Sequence, residues 1–131
     1  MDQEILRMES FGAPHLANTF ATLMQFKPPK NDAKYQWTQH VIGKMMYYGI
    51  SESLIKRITR FPKRKEEGIA PKTVAGMQPT SSKKQEVWVM YIEIGTKKKI
   101  ISAWRYPGVS PLGKKIPIPD EILQELESMV E

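Results

Sequence analysis

The chain has 131 residues, of which 40% are hydrophobic, so it is long enough for one domain with a core and too apolar for a disordered chain. It contains no cysteine and only two histidines, which excludes disulfides and thiolate zinc sites and predicts neither a metal centre nor a cofactor. The net charge is +6, and the sequence has neither a membrane-spanning apolar run nor a cleavable leader at its start, so we expect a cytoplasmic protein without a membrane span.

The N-terminal half of the sequence predicts helices. Residues 1–30 are predicted to form a helical arm, since apolar residues recur at helical spacing until two prolines interrupt them. Residues 33–48 give the strongest helical pattern and end at Gly49, which suits a left-handed helix terminus. Ser51 is predicted to cap a second helix that runs to Phe61. The apolar stripes of the two helices are Trp37, Val41, Met45 and Tyr48, and then Leu54, Ile55, Ile58 and Phe61.

From Pro62 onward the pattern is extended rather than helical. Residues 63–79 predict one or two short strands, and residues 85–95 alternate between two apolar faces. A turn near residue 96 leads into the next strand, and a last helix follows Pro119, which suits a first helical turn. The predicted fold is α+β, with two N-terminal core helices followed by an antiparallel four-stranded meander, an N-terminal helical arm and a C-terminal helix. We expect one domain over residues 1–131, consisting of the arm (1–30), the core (33–108) and the C-terminal helix (117–131).

The positive charge is concentrated in the middle of the chain. Residues 61–117 hold twelve Lys and Arg against four Asp and Glu, whereas residues 118–131 hold five acids and no base. A basic middle segment favours a polyanionic partner such as RNA or DNA. Lysines that only solvate an ordinary surface would give the same composition.

His40 shares a predicted helical face with Gly43, Lys44 and Tyr47, because positions three and four apart are neighbours on a helix. Glycine inside a helix costs about 1 kcal/mol relative to alanine, so Gly43 predicts that something approaches the backbone closely there. A histidine, a lysine and a tyrosine beside such a gap could receive a phosphate. The alternative is that His40 is a packing residue and that Gly43 admits a neighbouring strand.

Arg105 is predicted to share a strand face with Ile101 and Ala103, while Trp104 and Tyr106 point to the other face. A guanidinium at the end of an apolar face needs an anionic partner, which a glutamate of the KRKEEG segment could supply structurally and an RNA phosphate functionally. The aromatic side chains could stack on bases or build the core. The KRKEEG segment itself, residues 63–68, either contacts a nucleic acid or is a solvated turn.

Two short patterns resemble a known group of proteins. The spacing of His40, Lys44, Met45, Gly49, Ile50 and Ser51 is similar to the opening helix signature of a family of small bacterial domains of unknown function. That family is grouped with the barnase–EndoU–colicin–RelE-like fold, which contains many ribonuclease toxins. The EEGIAP and WRYPG segments resemble those of uncharacterised bacterial proteins, and the likeness covers residues 36–107. Family members usually carry Arg where Lys44 stands, and often Arg where Tyr48 stands.

The resemblance implies a metal-independent ribonuclease that cleaves RNA by attack of the 2′-hydroxyl on the adjacent phosphate. His40 would be the acid or base, and Lys44 and Arg105 would stabilise the transferring phosphate. The RNA-binding residues would be Tyr47, Lys63, Arg64 and Tyr106. Such a toxin would have RNA as its substrate and an antitoxin protein as its partner.

Two other functions remain open at this point. In a non-catalytic RNA- or protein-binding module of the same fold, the basic surface would be spread out and His40 would be packed or hydrogen-bonded. Alternatively, the acidic C-terminal helix could mask the basic surface. The simpler expectation for that helix is that it closes the core through Ile122, Leu126 and Met129.

Overall fold

The protein is described by a computed structural model that covers residues 26–113 and 115–130. Within these residues three helices surround a five-stranded mixed sheet, which confirms the α+β class. The elements in chain order are β1 (Tyr35–Trp37), α1 (Gln39–Tyr48), α2 (Glu52–Arg60), β2 (Arg64–Glu67), β3 (Thr73–Pro79), β4 (Gln85–Ile94), β5 (Lys97–Pro107) and α3 (Asp120–Val130). The predicted N-terminal arm lies outside the described residues, apart from its last few.

Local signals set the ends of α1 and α2. The Thr38 side chain accepts a hydrogen bond from the Val41 amide at 3.1 Å, and that of Ser51 accepts one from the Leu54 amide at 3.2 Å. Each bond satisfies one of the amides that a helix N-terminus leaves without a partner. Gly49 ends α1 with a φ of 66°, a left-handed conformation that glycine adopts without strain.

The strand order is β1-β5-β4-β3-β2. Strands β2 to β5 pair antiparallel in sequence order, and β1 pairs parallel to β5, with Tyr35 opposite Lys98 and Trp37 opposite Ile100. Strands β2 to β5 thus form the predicted four-stranded antiparallel meander, but the sheet has a fifth strand, β1, that was not predicted, and the prediction of a helix from residue 33 is wrong. Trp37 continues the apolar spacing of α1, but its segment pairs with a strand more than 60 residues later, which no local pattern indicates.

The sheet carries an apolar cluster on each face. The first cluster joins β1, α1 and α2 to one face; its fully buried members include Val41, Met45, Ile55, Ile58 and Ile100. The second cluster joins α3 and the segment before it to the other face; it contains Trp88, Met90, Trp104, Ile116, Ile122 and Leu126. The C-terminal helix thus closes the core through Ile122 and Leu126, as the simpler expectation predicted, while the side chain of Met129 lies outside the described part of the structure.

The side chains of Ile101 and Phe61 do not face the side of the fold that the sequence predicted. A β-bulge makes Met90 face Ser102 and Tyr91 face Ile100, which leaves Ile101 unpaired in β5 and moves it toward the second cluster. Ile101 therefore does not share the face of Ala103 and Arg105. Phe61, predicted to face inward, is 68% exposed, because it follows the last residue of α2 and its φ of −136° departs from the helix. None of the described helices is long and apolar enough to cross a membrane.

Candidate functional site

The His40 side chain lies between α1, β5 and α3. Its Nε2 atom is 2.8 Å from the Ser102 hydroxyl, and its Nδ1 atom is 3.6 Å from Oε1 of Glu125. The side chain is only 8% exposed. Burial lowers the pKa of His40, and Lys44 lowers it further, against an opposite effect of the Glu125 carboxylate. The imidazole is therefore neutral at pH 7. The nearby Glu125 oxygen, which can only accept, favours the tautomer with the proton on Nδ1, and in that tautomer Nε2 accepts from the Ser102 hydroxyl.

Lys44 shares the same carboxylate. Its Nζ atom lies 2.9 Å from Oε1 of Glu125 and 5.6 Å from the centre of the Tyr47 ring. The lysine side chain is 15% exposed, whereas that of Glu125 is 47% exposed. The predicted α1 face thus exists, but a carboxylate from α3 lies on it.

Ser102, His40 and Glu125 occur in the order of a serine–histidine–carboxylate triad. Ser102, however, is 0% exposed in the middle of β5, so no substrate carbonyl reaches its hydroxyl. Lys44 also draws the carboxylate away from the ring. The arrangement fixes the tautomer and the orientation of His40 and does not form a nucleophilic site.

Arg105 lies at the other end of α1. Its guanidinium donates to the Tyr48 carbonyl at 2.8 Å, the Gly49 carbonyl at 3.1 Å and the Gln85 side chain at 3.3 Å. Helix C-termini leave carbonyls without partners, and Arg105 satisfies two of them. Its predicted glutamate partners in KRKEEG do not contact it. Burial lowers the pKa of Arg105, although a guanidinium stays protonated in proteins.

The three predicted catalytic residues do not converge. His40 and Lys44 share one carboxylate, but Arg105 binds the end of α1, which lies along the helix axis about 12 Å from His40 and about 6 Å from Lys44, at about 1.5 Å per residue. Gly43, predicted to lie under a close approach, has no neighbour within 4 Å of where a Cβ would stand, its own helix backbone and chain neighbours aside. That prediction is wrong, since open space lies beside Gly43.

The four predicted RNA-binding residues come from different parts of the fold: α1, the start of β2 and the end of β5. Tyr47 is 64% exposed on α1, and Lys63 is exposed just before β2. Arg64 donates to the Ser110 hydroxyl at 2.6 Å, pairs with Glu66 at 3.1 Å and covers the Trp88 ring at 5.2 Å.

Arg64 and Tyr106 contribute to the fold. The same Ser110 hydroxyl donates at 2.7 Å to buried Glu86, so Arg64 belongs to the network that holds the segment after β5. Tyr106 packs against the second cluster.

Sequence reasoning missed a surface at one end of the sheet. We call it the basic end and define it by Phe61, Lys63, Lys83, Lys84 and Val109. Hydrogen bonds hold its parts together: Gln78 Nε2 donates to the Phe61 carbonyl at 2.6 Å, and the Gly108 amide donates to the Lys84 carbonyl at 2.8 Å. All three lysines are exposed, Phe61 is 68% exposed and Val109 is 77% exposed.

The electrostatics of the basic end differ from those of the α1 face. Its three lysines form no ion pair with any carboxylate of the described residues, whereas Lys44 does. The sequence indicated this surface through Lys63, which was predicted to bind RNA, and through the excess of Lys and Arg in residues 61–117, but neither signal showed that Lys63 lies with Lys83 and Lys84.

Metal ligands and relatives are the two remaining indications of function. Among the described residues, no three His, Asp or Glu side chains come together as metal ligands. No family model, curated protein or solved structure matches this chain, so the resemblance to the ribonuclease-toxin fold stays a prediction.

Proposed function

We propose that the protein is a non-catalytic RNA-binding domain that contacts single-stranded RNA through the basic end. The observation that carries the proposal is the exposed ring of Phe61 at the same end of the sheet as Lys63 and the Lys83–Lys84 turn: the Phe61 carbonyl accepts from Gln78, in the strand that leads into that turn. An exposed aromatic ring can stack on a base, and lysines without carboxylate partners attract phosphates. Single-stranded RNA offers bases and phosphates together, whereas the bases of a duplex are already stacked.

The backbone at Lys83 supports the same surface. Lys83 has a φ of 61°, a left-handed conformation that glycine or asparagine adopts more easily than lysine. The conformation belongs to the hairpin turn between β3 and β4, and Lys72 adopts it too in the turn before β3. The turn places Lys83 and Lys84 at the exposed tip of the hairpin.

The geometry of His40 and Arg105 favours binding over cleavage. His40 is enclosed by Ser102 and Glu125, and the Arg105 guanidinium is occupied by carbonyls of α1 and by Gln85. A transesterification site needs an acid or base and a cation around one phosphate, open to the substrate. Ribonuclease activity, the toxin assignment and an antitoxin partner therefore stay predictions, and the assay below also tests for cleavage.

The test is fluorescence anisotropy with a mixed-sequence single-stranded RNA, in excess EDTA and at several salt concentrations. For Lys63→Ala/Lys83→Ala/Lys84→Ala we expect about a tenfold or greater loss of affinity. We also expect the slope of log affinity against log salt to fall by about 2, at about 0.7 for each lost contact. For Phe61→Ala we expect an approximately fivefold or greater loss with little change in that slope, because stacking is worth about 1–3 kcal/mol per base.

The matched control is Lys97→Ala/Lys98→Ala/Lys99→Ala. It also removes three positive charges, but at the opposite end of β4, about 30 Å away at about 3.3 Å per residue. We expect it to change affinity less than threefold. Equal losses in both triple variants would contradict a defined surface and leave only non-specific attraction. RNA that is cut in EDTA by wild type and not by a folded His40→Ala variant would favour the ribonuclease prediction instead.

A further inference from the structure

We propose that Lys44 and His40 form a second RNA-phosphate site, and that Glu125 of α3 occupies this site in the free protein. The inference rests on the proposed function for the identity of its ligand. It differs in its residues, because none of the three belongs to the basic end. In this view α3 both closes the core and covers an anion site.

The geometry of Glu125 is that of a bound anion. A single oxygen, Oε1, lies 2.9 Å from Lys44 Nζ and 3.6 Å from His40 Nδ1. Ser102 holds the far side of the imidazole at 2.8 Å, so that Nδ1 faces the anion, and an anion there favours the tautomer with the proton on Nδ1. An ammonium and a ring N–H directed at one point suit an oxygen of a phosphate as well as one of a carboxylate.

The exposed fractions of the three side chains show that Glu125 is the one that can leave the ion pair. Lys44 and His40 are 15% and 8% exposed and form the inner wall of the site, whereas Glu125 is 47% exposed on its outer side. An ion pair with one well-hydrated partner is weak and is easily exchanged for another anion. Ile122 and Leu126 hold α3 separately in the second cluster, so the carboxylate can be displaced while the helix stays in place.

Charge supports a masking role for α3. Residues 118–131 carry five acids and no base, in a chain whose net charge is +6. Of the acids in α3, Glu125 is the one that reaches the cations of α1, while Glu127 is exposed and forms no ion pair within the described chain. Glu127→Ala is therefore a matched control: it makes the same change on the same helix without opening the site.

The first test uses inorganic phosphate and follows the His40 ring resonances by NMR. We expect a saturable shift in Glu125→Ala, little shift in Glu127→Ala, and loss of the shift in Glu125→Ala/Lys44→Ala. Near-ultraviolet circular dichroism of Trp88 and Trp104 shows whether α3 stays docked in each variant. If phosphate leaves the His40 resonances of docked Glu125→Ala unchanged, the site does not exist.

The second test measures single-stranded RNA binding by the same variants. We expect Glu125→Ala to bind about threefold more tightly than Glu127→Ala, and Lys44→Ala to cancel that gain. Equal affinities of the two single variants would overturn the masking role. A phosphate response without RNA binding by any variant would refute RNA as the ligand, and the proposed function with it. RNA binding that depends on the basic end but not on Glu125 would refute this inference alone.

Discussion

At the scale of single residues, His40 shows how burial decides protonation. The Glu125 carboxylate alone would favour the charged imidazolium, but the loss of hydration on burial is the larger effect, and Lys44 adds to it. The Ser102 hydroxyl, which can donate or accept, holds Nε2 at 2.8 Å and orients the ring. His40 thus resembles a hydrogen-bonded core residue more than a free acid or base.

The lowered pKa of His40 predicts a pH-dependent stability. The unfolded chain binds the proton near the ordinary histidine pKa of about 6.5, more readily than the folded protein does. The stabilisation is therefore complete above about pH 6.5 and is lost as the pH falls through the folded-state pKa. Urea unfolding at about pH 7.5 and about pH 5.5 should show a larger loss of unfolding free energy for wild type than for His40→Gln.

The subtraction isolates His40 from the other histidine. His15 lies outside the described residues and is present in both proteins, so its titration cancels in the difference. An equal loss in the two proteins would show that the folded and unfolded pKa values of His40 coincide. A larger loss in His40→Gln would mean that Glu125 outweighs burial.

At the scale of elements, Gly43 makes α1 less stable than an alanine at the same position would. The position is inside the helix, is exposed, and has nothing within 4 Å of a Cβ apart from its own helix backbone and chain neighbours. Gly43→Ala should therefore raise the unfolding free energy by about 0.5–1 kcal/mol, because alanine loses less backbone entropy than glycine. Chemical denaturation measures the change, and Ser53→Ala in α2 is a control for a surface helix substitution that replaces no glycine. Destabilisation by Gly43→Ala would show that a neighbouring group does approach this part of α1.

Prediction from sequence succeeded for elements whose signals are local. The start of α2 at Ser51, the end of α1 at Gly49 and the alternation in β4 each depend on neighbours within a few residues, and these three features formed as expected. It failed at Trp37, where helical spacing competed with a pairing to Ile100, and at Ile101, where a bulge shifted the alternation. Both failures arise from strand pairing, which a short window of sequence does not contain.

The candidate site was harder to predict than the fold. The sequence indicated that His40 and Lys44 share a face, and they do share Glu125. It could not indicate that the carboxylate comes from α3, about 80 residues away, or that Arg105 uses backbone carbonyls instead of an acid. Exposed charges have many acceptable partners, so composition constrains their pairing only weakly.

At the scale of the whole molecule, the sheet has a core on both faces, and α3 is the only described helix that covers the second face. Ile122 is 0% exposed in the second cluster, as Ile58 is in the first. If α3 is part of the cooperative core, Ile122→Ala should lower the unfolding free energy by about 2–4 kcal/mol, because a large-to-small substitution in a core costs about that much. Ile58→Ala should lower the unfolding free energy by a similar amount.

Two probes of urea unfolding test whether the faces unfold together. Trp88 and Trp104 stack in the second cluster with ring centres 6.3 Å apart, whereas Trp37 lies in the first cluster. In a Trp37→Phe background the tryptophan signal therefore reports on the second face, while far-ultraviolet circular dichroism reports on all helices. For both variants we expect the two transitions to coincide, as in a two-state domain. If Ile122→Ala instead loses its tryptophan signal before the helical signal, α3 undocks while the rest stays folded. The mask over Lys44 and His40 would then be a separately opening unit, and RNA affinity should rise at the urea concentrations where only the tryptophan signal has changed.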